Sequence, residues 1–380
     1  MTSFDEYNLK LMEASFEAWS PTKGLDRRVA VLMSGGVDSS VTAHLLGAAG
    51  WDVVGVTMKI PVSCDAFSRG CCGVDAALVC HEMGIAHYFV DVAEAFEELI
   101  IERFRESYAA GETPNPCVDC NTLLKFSLVW DLIAESFGIR HVATGHYSRV
   151  VETEGGPRLA RGKDRSKDQS YFVYGIAAER LGRFVLPLGE YTKAQVRAIA
   201  EKLGLSVAQK PESMELCFAG EADYRNALDD AQSNRPGDLT DMAGKRIGEH
   251  KGISNYTLGQ RRRLGFAGGK PLYVGRIDAG TNTVALGTRD QVSRRVIRAG
   301  DINVLIAEEL CEGALLSGKI RSYGDPRPCR VAAVSESGIT VEFDEPQFAP
   351  SAGQKLVLYD DGDYVVAGGT ITGDRRDETQ

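Results

Sequence analysis

The sequence predicts an α/β chain in which a doubly wound parallel sheet comes first and a small β-barrel or sandwich comes last. Up to about residue 212, short apolar runs typical of buried strands alternate with helical stretches, as in a parallel sheet with helices on both faces. Residues 220–290 are glycine-rich and mixed. From about residue 291, short alternating stretches are separated by turn residues, which predicts the all-β part.

The elements of the first part follow in order along the chain. The predicted strands are residues 28–33, 52–58, 87–91 and 141–145. The predicted helices are residues 41–50, 74–85, 93–111, 121–139 and 193–203. Thr192 and Gln195 form a capping box at the start of the last helix. Residues 1–24 are predicted to be a short helical extension ahead of the sheet. In the second part, the predicted strands are residues 317–323, 329–334, 338–343, 355–360 and 364–372.

Composition and charge exclude several classes of protein. With 43% hydrophobic and 25% charged residues among 380, the chain has the composition of a globular protein, not of a disordered one. No stretch approaches the ~18 apolar residues of a membrane helix, and the N-terminus lacks an apolar signal segment. The sequence therefore predicts a cytoplasmic protein without a membrane partner.

The net charge of −10 argues against a protein that binds polyanions over its whole surface. Local basic patches at residues 260–263, at residues 294–298 and at Lys319 with Arg321 leave a nucleic-acid contact open. The nine cysteines are odd in number and no export signal precedes them, so metal, redox or catalytic use is favoured over a disulfide scaffold.

A glycine-rich string, SGGVDSS at residues 34–40, lies between a predicted strand and a predicted helix. Two glycines let backbone N–H groups approach a phosphate, and the helix N-terminus adds partial positive charge. The hydroxyl groups of Ser34, Ser39 and Ser40 are further candidate donors. A carboxylate at Asp38 would repel phosphate, so its presence is best explained if it holds Mg²⁺. The string predicts a nucleotide phosphate site.

Two cysteine strings are informative, NPCVDCN at residues 115–121 and MELCF at residues 214–218. Cys120 lies near the predicted start of a helix and in a CxxC pair, and both features lower the pKa of a thiol. Cys217, taken alone, is more typical of a core thiol. The spacing of the cysteines at 64, 71, 72 and 80 with His81 and His87 does not fit a zinc site, so these are predicted to be loop and core residues. Cys311 and Cys329 are predicted to be barrel residues.

The loop resembles the pyrophosphatase loop of ATP-dependent adenylating enzymes. Together with NPCVDCN, ATGHY, KDQSYF, GEYTKAQVRAIAEKLGL, KPESMELCF, IGEHKGISNYTLGQRRRLG and YVGRID, it resembles the tRNA-specific 2-thiouridylase family from about residue 28 to 372. The resemblance implies an adenine nucleotide α hydrolase-like domain, a small central domain and a C-terminal β-barrel. The domain boundaries expected on this basis are an extension at 1–24, an ATP-binding domain at 25–212, a central domain at 213–290 and a barrel at 291–375.

The family reaction replaces the C2 oxygen of the wobble uridine of certain tRNAs with sulfur, after ATP has adenylated that oxygen. The resemblance assigns ATP and Mg²⁺ binding to Leu32, Met33, Ser34, Gly35, Gly36, Val37, Asp38, Ser39, Met58 and Gly145. It assigns contact with the target base to Asn115, Pro116 and Cys117, and contact with tRNA to Lys167, Asp168, Gln169, Arg321 and Ser322. Cys120 is the implied nucleophile and Cys217 the implied persulfide carrier. His146 is expected to orient the wall of the nucleotide pocket.

The sequence departs from the family pattern at two positions. Arg321 and Ser322 match an Arg-Tyr pair of the family, but serine stands in the tyrosine's place at 322 and tyrosine follows one place later at 323. Cys117 stands where many members carry aspartate, so Cys117, Cys120 and Cys217 would be three thiols at one site. Three cysteines suit a 4Fe–4S cluster with one iron open to hydrosulfide, which is the favoured interpretation. The alternative is persulfide chemistry, in which Cys120 resolves a persulfide on Cys217 into a disulfide.

Two other functions remain open from the sequence. One is a pyrophosphatase-loop synthetase or amidotransferase that acts on a small molecule, although no ammonia source or amino-acid-binding motif is visible. The other is a nucleotide-binding module without catalysis, which would leave the cysteine strings unexplained. A sulfur-relay protein, a cysteine desulfurase or inorganic sulfide could supply the sulfur, and the sequence does not choose among them.

Overall fold

The computed structural model describes residues 4–7, 9–13, 23–61, 73–211, 216–218, 228, 234–265 and 269–373. The chain divides into two compact units. One comprises residues 1–100 with 117–222, and the other comprises residues 101–116 with 223–380. No helix within these ranges is both long enough and apolar enough to cross a membrane.

The first unit is built on a six-stranded sheet. The strands of this sheet are β1 (Leu11–Glu13), β2 (Arg28–Leu32), β3 (Asp52–Lys59), β4 (Ala86–Asp91), β5 (His141–Ala143) and β8 (Phe184–Val185). Strands β6 (Ser148–Thr153) and β7 (Gly156–Arg161) form a separate hairpin. The order is β1-β4-β3-β2-β5-β8, and every pair is parallel except β1 with β4. The chain runs outward from β2 to β4 and then returns to β5 on the other side of β2. Ligands of such sheets bind at this switch point, beyond the carboxyl ends of the strands.

Helices cover both faces of this sheet, as the sequence predicts. The helices of this part of the chain are α1 (Val37–Ala48), α2 (Val74–Glu82), α3 (Ala93–Phe96), α5 (Pro116–Asp119), α6 (Trp130–Phe137), α7 (Ser170–Val173) and α8 (Lys193–Lys202), whereas α4 (Arg103–Ala109) belongs to the other unit. Neighbouring residues of a strand point to opposite faces. On β4, His87 faces the α2 side next to Cys80, whereas Tyr88 packs on Phe137 of α6, 4.8 Å between ring centres.

Several local predictions are wrong in detail. The helix predicted at 121–139 begins earlier, at Pro116, and has π-helical turns at Cys120–Val129 between α5 and α6. A second π-helical stretch, Glu97–Glu102, separates α3 from α4. The N-terminal extension is helical only at Phe4–Tyr7, a single 3-10 turn, whereas residues 11–13 pair with β4 as an antiparallel edge strand. The capping box of Thr192 with Gln195 is confirmed at the start of α8.

The second unit contains a four-stranded sheet and a closed barrel. The sheet comprises β9 (Gly237–Asp241), β10 (Arg246–His250), β11 (Tyr273–Asp278) and β12 (Thr283–Gly287) in the order β10-β9-β12-β11. A short helix, α9 (Arg289–Val292), precedes the barrel strands β13 (Ser293–Val304), β14 (Leu315–Lys319), β15 (Arg327–Ser335), β16 (Gly338–Phe348), β17 (Lys355–Tyr359) and β18 (Val365–Ile371). The barrel closes in the order β13-β16-β15-β14-β17-β18 around one apolar core. The fold class predicted from the sequence is therefore confirmed.

Strand β13 was missed as a strand because its exposed face is basic. Arg295 and Arg298 point outward, while Ile297 and Ala299 enter the barrel core. The same unit holds the loop at residues 112–116 against the barrel. The backbone N–H of Thr113 donates to Ala352 O at 2.8 Å, and the amide of Gln354 donates to Thr113 O at 2.8 Å and to Pro114 O at 3.2 Å.

Candidate nucleotide and thiol site

The glycine-rich loop follows β2 at the switch point of the sheet and turns directly into α1. Gly35 adopts a φ of +67°, which an L side chain rarely adopts, and this lets the chain reverse within two residues. The Ser39 hydroxyl donates to Gly36 O and accepts from the Ser34 N–H, at 3.2 Å each, so the loop is closed on itself. Ser34 is exposed, but Ser40 is fully buried and donates to Gly36 O at 2.8 Å. Ser40 is therefore no phosphate donor, contrary to the prediction.

Gly145 lets the chain after β5 pack closely against this loop. It follows β5, and a Cβ at this position would lie 2.8 Å from the backbone nitrogen of Ser39 and 2.9 Å from the carbonyl carbon of Asp38. Only a residue without a side chain allows the chain after β5 to approach the first turn of α1 so closely. Met58, near the end of β3, is half-buried on the other side of β2. The residues assigned to ATP thus share one edge of the sheet.

Replacing Gly145 with alanine is expected to displace the first turn of α1, because backbone atoms rather than flexible side chains block the new methyl group. We expect ATP affinity to fall about tenfold or more, because the N–H groups of this turn would no longer point to a common centre. Isothermal titration of ATP into the variant measures the loss. The matched control is Gly47→Ala in α1, whose Cβ meets nothing within 4 Å and whose φ is not positive. An unchanged ATP affinity in Gly145→Ala would contradict this arrangement.

The Asp38 carboxylate at the second position of α1 has two protein partners. The Lys193 ammonium lies 2.7 Å from Oδ1 and 2.8 Å from Oδ2, and the Tyr147 hydroxyl donates to Oδ1 at 2.8 Å. Gln169 in turn accepts from the Tyr147 backbone N–H at 2.9 Å. On the other side of the loop, the Lys210 ammonium donates to Gly35 O at 3.0 Å. Two lysines therefore reach the phosphate loop from the segment between 193 and 210.

The three predicted site thiols lie in one environment. Cys120 is buried, whereas Cys117 and Cys217 are exposed. Burial, together with nearby charge on Cys120 and Cys117, raises the pKa of Cys217 to about 12. Solvent reaches this side chain although protein atoms surround most of it. The structure therefore brings Cys217 to the two thiols of the CxxC pair, although 97 positions separate it from Cys120.

The prediction that Cys120 has a lowered pKa is wrong for this structure. Burial raises the pKa of both Cys117 and Cys120, and this outweighs the opposing effect of the Lys125 ammonium. The Lys125 ammonium donates to Asn121 Oδ1 at 2.9 Å, and the Asn121 amide donates to Phe172 O at 2.8 Å. Lys125 is thus fixed as the cation that faces the thiols, and without it their pKa values would be higher still.

His146, in the string ATGHY, is neutral at physiological pH. Burial and the nearby Lys125 charge lower its pKa to about 3. Its Nδ1 lies 2.8 Å from the Thr144 hydroxyl, and its ring meets the edge of Phe126 at 6.3 Å between ring centres. A ring held in this way can line a pocket, as predicted, but it does not gain a proton near neutral pH.

The predicted tRNA residues 167–169 are not equivalent. Lys167 and Gln169 are half-buried, with side chains near the surface. Asp168 is buried, and its carboxylate accepts from Arg161 Nε at 3.2 Å, from the backbone N–H groups of Gly162 and Ser170, and from the Ser170 hydroxyl. Its side chain is saturated, so Asp168 shapes the loop and does not offer its carboxylate to RNA.

The basic patch predicted at Lys319 and Arg321 is wrong. Lys319 is buried at the end of β14. The Arg321 guanidinium donates to Phe348 O at 2.6 Å and to Ala349 O at 2.8 Å, and Ser322 is half-buried. Lys319 and Arg321 therefore do not form an exposed basic patch. Tyr323, one place after Ser322, is 90% exposed and is the side chain of this loop that solvent reaches most freely.

The remaining cysteines give no metal site within the described ranges. Cys80 is buried on α2 with its pKa raised to about 12 by burial, and Cys329 is buried in the barrel core. Cys311 is exposed. The cysteines at 64, 71 and 72 lie outside the described residues. No group of three or more histidine, cysteine or acidic side chains in the described part of the chain is arranged to hold a metal ion.

Sequence reasoning missed four residues of this region: Lys193, Tyr147, Lys125 and Lys210. Lys193, Tyr147 and Lys210 act through contacts with residues far away in sequence, such as the 155-residue separation of Lys193 from Asp38, whereas Lys125 lies in the helical stretch that begins at Cys120. Only the places of two of these lysines in the sequence could have indicated a role. Lys193 follows the N-cap of a predicted helix, and Lys210 is the first residue of the string that contains Cys217.

Comparisons with known proteins agree along most of the chain. The family model "tRNA methyl transferase HUP domain" matches residues 27–221. The models "tRNA methyl transferase PRC-barrel domain" and "Aminomethyltransferase beta-barrel domain" match residues 225–288 and 294–371.

The curated relatives carry one name. The tRNA-specific 2-thiouridylase MnmA of Carboxydothermus hydrogenoformans is 43% identical over 358 residues, which cover 91% of this chain and 97% of that protein. The protein of the same name from Pelotomaculum thermopropionicum is 42% identical, covering 91% of this chain and 98% of that protein. Among solved structures, the U34-tRNA thiolase NcsA of Methanococcus maripaludis with its 4Fe-4S cluster is a partial likeness. It is 18% identical and covers 51% of this chain and 62% of that chain, with a TM-score of 0.34.

Proposed function

Because this chain belongs to the tRNA-specific 2-thiouridylase family, we propose that it uses ATP to replace the C2 oxygen of the wobble uridine of tRNA with sulfur. The observation that carries this proposal is the pairing of a phosphate loop with a group of three thiols in one unit of the chain. A nucleotide-binding module without catalysis would need the loop but not the thiols.

ATP binding is supported by the loop at the switch point of the sheet. Its N–H groups, the N-terminus of α1 and the Ser34 hydroxyl are donors suited to phosphate oxygens. In the proposed reaction the uracil C2 oxygen attacks the α-phosphorus and pyrophosphate leaves. The oxygen then departs as part of AMP when sulfur attacks C2, so a poor leaving group has become a good one.

The residues present fit a bound Mg²⁺ that shares the Asp38 carboxylate with the Lys193 ammonium and the Tyr147 hydroxyl. This ion usually keeps several waters and is held by one or two carboxylates together with substrate phosphates. Asp38 is a single carboxylate at the phosphate loop, and its side chain is 33% exposed. Mg²⁺ would neutralise charge that develops on the leaving pyrophosphate. Asp38 would then hold the ion while Tyr147 orients the carboxylate.

Cys120 and Cys217 are proposed to handle the sulfur. In the persulfide route, the terminal sulfur of a Cys217 persulfide attacks C2. Cys120 then attacks the Cys217 sulfur, and the resulting disulfide releases the thiolated base and needs a reductant before the next turnover. Lys125 supports this step by favouring the thiolate form of both cysteines.

The alternative route uses a 4Fe–4S cluster on Cys117, Cys120 and Cys217. Three cysteines are soft donors whose chemistry fits such a cluster, although no group of three ligands in the described part of the chain is arranged to hold a metal ion. The cluster, when bound, would supply an open iron for a non-protein sulfur such as hydrosulfide. A sulfur-relay protein, a cysteine desulfurase or inorganic sulfide is the proposed sulfur source, and the cytoplasm is the proposed location.

The target base must leave its stack to reach the site. An anticodon-loop base is already single-stranded, so the unstacking cost is modest. Asn115 and Pro116 are proposed to face the base, and Gln354 fixes the backbone just before them. Lys167, Gln169, Arg321 and Ser322 remain proposed tRNA contacts, to which the structure adds Tyr323 as an exposed ring able to stack on a base.

Salt is expected to weaken tRNA binding despite the net charge of −10. Arg261, Arg262 and Arg263 are all exposed in one loop and are suited to phosphate contact. Each phosphate contact contributes a slope of about −0.7 to −0.9 in log K against log salt concentration. Changing the three arginines to glutamine should make the measured slope less steep by about two to three. Arg246→Gln, whose guanidinium is already paired with Asp238 at 2.6 Å, is the control. Equal slopes for wild type and the triple variant would contradict this.

Release of pyrophosphate and AMP tests the proposed function against its rivals. We expect release to depend on a tRNA that carries uridine at the wobble position. A small-molecule synthetase would release them without tRNA, and a nucleotide-binding module would release neither. The control tRNA is the same transcript with cytidine at the wobble position. Equal release with both transcripts would contradict the proposal.

A further inference from the structure

Lys193 is the first residue of α8, and its ammonium donates hydrogen bonds to both carboxylate oxygens of Asp38, at 2.7 and 2.8 Å. The lysine side chain is 12% exposed and the aspartate 33% exposed. This ion pair is therefore partly desolvated. It lies at the first turn of α1, the helix that follows the phosphate loop. A surface ion pair far from any site would have neither property.

Three further contacts position Lys193, two of them at its backbone and one at its ammonium. The Lys193 backbone N–H donates to Asp164 Oδ2 at 3.1 Å, and the Thr192 cap fixes the start of the helix. The ammonium also lies over the Tyr147 ring, 5.6 Å from its centre. A free lysine loses much rotamer freedom when it is immobilised, and here contacts within the protein already hold the side chain, so that little of this entropy remains to be lost on binding.

The charges explain why a lysine belongs here. A carboxylate alone in an anion-binding loop repels phosphate, as the sequence already indicated for Asp38. Lys193 cancels that charge, and lysine is a compact point charge well suited to phosphate oxygens. We propose that Lys193 is a polyphosphate-binding residue of this site and that Asp38 holds it in position. The inference rests on the proposed use of ATP.

The proposal fits the charge changes of adenylation. When the bond between the α- and β-phosphates breaks, its electron pair leaves with pyrophosphate, so negative charge grows on the leaving group. A fixed cation stabilises that charge without reorganising during the step. Lys193 should therefore matter for ATP and pyrophosphate, and little for adenosine, which carries no phosphate.

Titration calorimetry at fixed Mg²⁺ tests this with Lys193→Gln, Lys193→Arg and the control Lys202→Gln, which changes an exposed lysine in the last turn of the same helix. We expect Lys193→Gln to weaken ATP and pyrophosphate binding about 10- to 100-fold and to change adenosine binding by less than about threefold. Lys193→Arg should retain most of the affinity, and Lys202→Gln all of it. An equal loss for ATP and adenosine, or no loss, would overturn the proposal.

The double variant Asp38→Asn with Lys193→Gln tests whether the two residues act as one unit. We expect its loss of pyrophosphate affinity to be smaller than the product of the two single losses, because each single change already disturbs the same ammonium. Strictly multiplicative losses would show that Asp38 does not position Lys193.

A measurement on the unaltered protein avoids any variant that fails to fold. Pyrophosphate should slow acetylation of Lys193 and leave that of Lys202 unchanged, as read by peptide mass spectrometry. Equal rates for Lys193 with and without pyrophosphate would overturn the inference. If the wild-type protein bound no ATP, the proposed function itself would fail. Failure of the inference about Lys193 is therefore distinguishable from failure of the proposed function.

Discussion

Asp38→Asn is expected to abolish thiolation while leaving the fold intact. Asparagine has nearly the same shape but carries no charge, so Mg²⁺ loses its carboxylate and Lys193 loses the partner that holds it. Removal of one preorganised electrostatic contact at a reacting centre costs about 10²- to 10³-fold in rate, and this substitution disturbs two. Single-turnover formation of 2-thiouridine, measured by nucleoside mass spectrometry, is the readout.

The control for this variant is Asp361→Asn, which changes an exposed aspartate in a barrel turn. It should thiolate at the wild-type rate. Thermal melting of Asp38→Asn should show a folded protein, because Asp38 is a third exposed and the Lys193 ammonium, which loses its carboxylate partner, still lies over the Tyr147 ring. Wild-type activity in folded Asp38→Asn would refute the assignment of the carboxylate to the phosphate site.

Cys217→Ala is expected to abolish sulfur transfer under either sulfur route, since Cys217 carries the persulfide in one and binds iron in the other. The variant should still bind ATP, because the phosphate loop is formed by other residues. The matched control is Cys311→Ala, an exposed cysteine of the other unit, which should keep full activity. Substantial thiolation by Cys217→Ala would remove Cys217 from the chemistry.

Cys117 separates the two sulfur routes. If a 4Fe–4S cluster operates, wild type purified without oxygen should hold about four irons, and Cys117→Ala should lose iron and activity together. Cys117→Asp would replace a soft ligand with a hard one and loosen the cluster. Under persulfide chemistry the same variant restores the commoner family string and should remain active. Iron-free wild type that thiolates tRNA from a persulfide donor would exclude the cluster.

Local pattern was enough for most of the fold. Alternating apolar runs and helices predicted the parallel sheet, and Thr192 with Gln195 predicted the start of α8, because these features depend on residues close in sequence. The missed elements had a tertiary cause. Residues 11–13 form a strand only because β4 offers an edge, and the arginines of β13 concealed the alternation of its inward-facing residues.

The site was less predictable because its contacts are distant in sequence. Position near a helix start predicted a lowered pKa for Cys120, yet burial raises it, and burial follows from packing of the whole unit. Asp168 looked like a surface contact, but Arg161 and Ser170 enclose its carboxylate. The grouping of Cys120 with Cys217 came from family resemblance, since nothing local to either cysteine indicates the other.

The most direct test of the proposed function is nucleoside mass spectrometry of a wobble-uridine tRNA incubated anaerobically with the wild-type protein, Mg²⁺, a sulfur donor and ATP. We predict 2-thiouridine at the wobble position, formed with ATP and absent when a non-cleavable ATP analogue replaces it. The tRNA with cytidine at that position should stay unmodified. Absence of 2-thiouridine with folded, ATP-binding protein and either persulfide or sulfide as donor would contradict the proposed function.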